Sequence, residues 1–96
     1  MEFEWDEDKA LSNLRKHGIS FKESKTIFND PYALTIPDPE HSILEERWID
    51  IGVSAQSRLL YVVYTERRES IRIISSRLAT AKERKTYEQA KSRFLR

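Results

Sequence analysis

Residues 59–77 read LLYVVYTERRESIRIISSR. Two runs of β-branched and aromatic residues, Leu59–Thr65 and Ile71–Ser76, flank the charged turn Arg67–Ser70. Such residues fit a pleated, half-buried surface, so the stretch predicts a β-hairpin. An apolar ribbon of this kind needs a cover on one face. Arginines stand at its margins: Arg67 and Arg68 at the turn, Arg72 inside the second strand, Arg77 at its exit. Their placement suggests that a rim or the other face meets an anion.

Working outward, the chain has 96 residues, enough for one domain, 1–96, with one modest core. It has no cysteine, which excludes a disulfide framework and a thiolate metal site. No apolar run approaches the ~20 residues that span a bilayer. The acidic start, Met1–Asp6, lacks the basic and apolar regions of a signal peptide, so a cytoplasmic location is expected. A net charge of +1 hides an asymmetry. Residues 1–50 carry 6 Lys/Arg against 12 Asp/Glu, and residues 51–96 carry 11 against 4. A basic surface on the second half suits phosphates or an acidic partner; alternatively, the halves neutralise each other in the fold.

The remaining elements follow from their stop and start signals. Phe3–Trp5 alternates like a short edge strand. Asp6 caps a helix that carries Glu7 and Asp8 in its first turn and Arg15, Lys16 and His17 in its last, with Gly18 to end it. Ser20 and Glu23 form a capping-box pattern for a second helix, which Asp30-Pro31 closes. Tyr32–Ile36 predicts a strand, Pro37–His41 a loop, and Leu44–Ser54 a longer strand. In that strand Arg47, Ile49, Ile51 and Val53 share one face, and Glu46, Trp48 and Asp50 the other. Thr80 and Glu83 open a last helix. A helical hairpin, four or five strands and one C-terminal helix argue α+β with an antiparallel sheet.

Several separated motifs agree in order with one family. Trp5–Lys9 (WDEDK), Asn13–Gly18 (NLRKHG), Glu45–Trp48 (EERW) with Gly52 following, Val62–Thr65 (VVYT), Ile71–Thr80 (IRIISSRLAT), Glu83-Arg84 and Tyr87 resemble the BrnT toxins of type II toxin–antitoxin systems. The resemblance implies a RelE-like fold and a ribonuclease that arrests growth by cutting RNA. It also implies a BrnA-like ribbon-helix-helix antitoxin, through which alone the complex would touch operator DNA. One departure stands at the turn, where relatives often have glycine in the place of Arg68. A non-glycine residue is disfavoured at positive φ, so a turn of different shape is expected.

Cutting RNA without a metal or other cofactor needs a base for the 2′-OH, cations for the charged phosphorane and an acid for the leaving 5′-oxygen. Arginine suits the middle task, since its fork matches phosphate and stays charged. Arg77, just before a capped helix, is the first candidate; the alternative is a pairing with a carboxylate such as Glu83. Arg67 comes next as a catalytic cation, against a role in blocking strand edges. Imidazoles titrate near neutrality, which makes His17, beside Lys16, a candidate acid or base. Cations at a helix C-terminus also stabilise it without any catalysis. Arg47, Arg72, Lys82 and Arg84 are candidate RNA contacts. Trp48 could stack on a base or belong to the core. A metal site is poorly supported: Asp38, Glu40 and His41 share a loop but match no known ligand spacing. A non-catalytic module that binds RNA or a protein through the basic half is the competing class.

Overall fold

The computed structural model describes residues 1–95. Strand β1 (Glu2–Glu4) runs into helix α1 (Glu7–His17). The Asp6 side chain accepts the Lys9 N–H, and Gly18 ends the helix at φ 70°. Both signals act as their chemistry requires: an orphan amide is capped, and the left-handed position is given to glycine. Helix α2 (Phe21–Ser24) is shorter than its pattern predicts and tightens into a 3-10 turn over Lys25–Asn29. Ser24 and Thr26 hydroxyls donate to the Ser20 and Glu23 carbonyls there, competing with the regular ladder. Ser20 accepts the Glu23 N–H, yet the reciprocal half of the box is not formed. The Glu23 carboxylate is taken instead by Ser54 and Arg58.

Strands β2 (Leu34–Pro37), β3 (Trp48–Val53), β4 (Leu59–Arg67) and β5 (Ser70–Leu78) precede helix α3 (Ala81–Phe94). The strand expected from Leu44 begins only at Trp48. Ser42 Oγ donates to the Asp38 carbonyl and accepts the Arg47 N–H, bracketing residues 42–47 as a loop. The sheet order is β1-β5-β4-β3-β2. It is antiparallel throughout except at one edge, where β1 lies parallel to β5 in the register Phe3↔Ile71. That parallel pair departs from the expected all-antiparallel sheet.

Alternation splits the sheet into two faces. Leu60, Val62, Tyr64, Ile71 and Ile73 join Ile19, Phe21 and Ile27 in the larger cluster, under the helical hairpin. Phe28 packs edge-on against Tyr64, with ring centroids 5.0 Å apart. Asp50 is buried on this face and accepts hydrogen bonds from Thr35 and Tyr64. Burial still pushes its carboxyl above the ordinary range. On the other face Ile49, Ile51 and Leu59 pack with Tyr87 of α3. Tyr87 donates its hydroxyl to Asp30, which also accepts the Val53 and Tyr32 amides. Burial raises the Asp30 pKa, but those three donors more than offset it and hold the group below the ordinary range. No described helix is long and apolar enough to cross a membrane.

Candidate functional site

A single extra residue decides which side the arginines share. Across β4 and β5, Val63 faces Ser75 but Tyr64 faces Ile73, so Ile74 is a β-bulge. Arg72 and Arg77 are five positions apart, and regular alternation would put them on opposite faces. The bulge restores the parity. Arg72 pairs with Thr65 and Arg77 with Tyr61, both on the face away from the helical hairpin. Arg67, opposite Ser70, is on that face too. α3 lies against β3; along this face of β4 and β5, Tyr61, Arg67, Arg72 and Arg77 stay in reach of solvent, while Thr65 is buried.

Arg77, next to last in β5, makes the fullest set of contacts described on this face. Its guanidinium lies over the Tyr61 ring, 3.7 Å from the centroid. Glu83, at the third position of α3, grips it from the end: Nη1 donates to Oε1 at 2.8 Å and Nη2 to Oε2 at 3.0 Å. Nη1 also donates to the Leu78 carbonyl. The pairing raised as the alternative for Arg77 is thus formed, but the side chain stays 34% exposed. The Arg77 hydrogen bond holds the Glu83 carboxyl below its usual range, and burial pushes the Tyr61 phenol up.

The other cations are held loosely. Arg67 reaches Glu45 at 3.6 Å and Arg72 reaches Glu4 of β1 at 3.8 Å. Arg47 precedes β3 on the side of Ile49, and its Nε is buried without a hydrogen-bond partner among the described residues. Lys82 and Arg84 are exposed on the first turns of α3, with Arg84 4.0 Å from Glu88. Trp48 goes elsewhere. It packs on the cluster under the helical hairpin, on the opposite face from the arginines.

Lys16 and His17 line a depression of about 190 Å³ with Lys9, Ser12, Asn13, Ile74 and Ser75. They reach the bulge from the open edge of β5 rather than from the Arg77 face. Asn13 makes the join: its amide accepts the Ser76 N–H and donates to the Ser76 and Ile19 carbonyls. One side chain thereby does the work of a missing neighbour strand. Nothing local in the sequence marks Asn13 or Tyr61 for these duties. Arg58 likewise shows no pattern, although it forms a fork with the Glu23 carboxylate. His41 is taken up by Asp38, and no group of three His, Asp or Glu side chains gathers among the described residues.

Comparison with known proteins adds the family. Residues 5–83 match the family described as the ribonuclease toxin, BrnT, of type II toxin–antitoxin systems. The fold is similar to the crystal structure of the Brucella abortus ribonuclease toxin, BrnT, with 25% identity and a TM-score of 0.66. The likeness covers 83% of this chain and 97% of that one. No curated protein matches. With a family match across residues 5–83 and a shared fold, this chain belongs to the BrnT ribonuclease toxins of type II toxin–antitoxin systems.

Proposed function

We propose that this ribonuclease toxin cuts RNA without a metal, on the sheet face that carries Arg67, Arg72 and Arg77. The observation that carries the reading is the Arg77 guanidinium, held over the Tyr61 ring with its Nε–H edge given to no acceptor among the described residues. A 2′-oxygen attacks the adjacent phosphorus, its proton goes to a base, and the P–O5′ bond breaks as an acid protonates the 5′-oxygen. Arg77 meets the charge that grows on the phosphoryl oxygens, where fixed donors count most. Arg67, Arg72 and Arg47 hold flanking phosphates, and Lys82 and Arg84 extend the basic track onto α3. His17 and Lys16 lie at the open edge of β5, off the Arg77 face, and there contact the RNA backbone rather than the scissile phosphate. Trp48, packed under the hairpin, takes no part.

A BrnA-like antitoxin with a ribbon-helix-helix part neutralises the toxin and supplies its only contact with operator DNA. Incubating purified toxin with labelled RNA in EDTA tests the reading: cleavage is expected for the natural chain and lost in Arg77→Ala. The grip of Glu83 on Arg77 favours a second reading, a binding face without chemistry. Salt-sensitive retardation of intact RNA, with no cleavage by the natural chain, would select it.

A further inference from the structure

We infer that Glu83 is a positioning residue for RNA cleavage: it aims the open edge of Arg77 at the scissile phosphate. The inference rests on Arg77 being the phosphate-binding cation. A guanidinium has five N–H donors in one plane. Glu83 and the Leu78 carbonyl occupy both Nη1 donors and one of Nη2. Among the described residues the Nε–H and the second Nη2–H have no acceptor; they lie side by side on one edge, spaced for two oxygens of a phosphate. Tyr61 supplies a floor beneath the guanidinium, whose central carbon lies 3.7 Å from the ring centroid.

Glu83 is itself held. Its Oε1 accepts the Thr80 N–H while Thr80 Oγ1 accepts the Glu83 N–H, the two halves of a capping box. The first turn of α3 is therefore in register with a side chain of the strand before it. An exposed, unclamped arginine samples many rotamers, and only a fraction of them present a fork to substrate. A carboxylate that only capped the helix would not need both oxygens on Arg77.

The experiment compares single-turnover cleavage of labelled RNA by the natural chain, Glu83→Gln, Thr80→Ala and Arg77→Ala, with melting temperatures alongside. In Glu83→Gln the amide oxygen still caps Thr80, but the amide nitrogen cannot accept from Nη2. Its rate at saturating RNA should fall about ten- to a hundredfold, a range typical of misplaced groups, with a smaller change in KM. Thr80→Ala keeps the backbone N–H that Glu83 Oε1 accepts and loses only the hydroxyl that caps the helix, so it should lower the melting temperature and leave the rate at saturation unchanged. If Glu83→Gln does not fold, Glu83→Asp, which withdraws the carboxylate by one methylene, carries the same expectation. A natural or raised rate in the Glu83 variant, or an equal loss in Thr80→Ala, overturns the inference. Full cleavage by Arg77→Ala instead overturns the reading of Arg77 beneath it.

Discussion

On one face of the sheet, Leu60, Val62, Tyr64, Ile71 and Ile73 disappear under the helical hairpin; on the other, the same two strands present Tyr61, Arg67, Arg72 and Arg77. The covered face is closed by aromatic contacts, Phe3 on Phe28 and Trp5 on Phe21, and nearly every buried polar group there has a partner. The open face has charges whose partners are far or exposed, except where Glu83 grips Arg77. On the proposed reading, stability and chemistry are separated by the pleat of a strand: odd and even neighbours answer to different demands. Substitutions on the two faces should fail differently.

The largest effect belongs to the covered face. Phe21 is 1% exposed, and Phe21→Ala should cost about 3–5 kcal/mol in chemical denaturation, most of the reserve of a domain this small. Arg77→Ala should do the reverse. Cleavage should drop about 10²–10³-fold, ~3–4 kcal/mol of barrier, while far-UV circular dichroism stays that of the natural chain. A folded, fully active variant would erase the functional half of the contrast.

Glu23 refines the covered side. Its carboxyl lies below the ordinary 4.5, first because of the Arg58 hydrogen bond, against a burial cost. A depressed folded pKa means that the unfolded chain binds more protons in acid. The stabilisation is full above 4.5 and is lost as the pH falls through the folded value. Glu23→Gln should therefore cost about 1–3 kcal/mol at pH 7, and the gap to the natural chain should close in acid. Asp50 has the opposite sign. Its contribution is full below 3.8 and is lost as the pH rises through its raised folded value, but both proteins share it. A gap independent of pH would show that Glu23 is not the group responsible.

The smallest effect is at the hairpin turn. Arg68 sits at φ 52°, in the region that glycine enters freely. Arg68→Gly should raise stability by about 1 kcal/mol or less, part of the relief being returned as unfolded-state entropy. A loss of stability would mean that the arginine side chain contributes contacts that outweigh the strain.

Local signals carried much of this. Asp6, Gly18 and Thr80 are each read from one or two neighbours, and each ends or starts a helix as expected. The β4–β5 hairpin starts at Leu59 as predicted and extends beyond its predicted limits at the turn and at the exit of β5. What could not be read depends on partners far along the chain. Glu23 has the spacing of a capping box, but Arg58 and Ser54 outbid the helix end for its oxygens. The bulge at Ile74 is invisible in a run of β-branched residues, and with it the face of Arg77 relative to Arg72. Beyond the short pairing with β1, what meets the edge of β5 at Ser76 was illegible, because it is the side chain of Asn13 and not a strand.

The parallel pairing of residues 2–4 with 70–72 has a consequence for how the molecule is made. Closing so long a loop carries an entropy term of roughly 4 kcal/mol, and it must be met before those contacts return anything. During synthesis the opening strand waits, unpaired, until the hairpin that receives it has left the ribosome. Arg77 lies in that same hairpin, so on the proposed reading cutting power arrives only when most of the chain is in place.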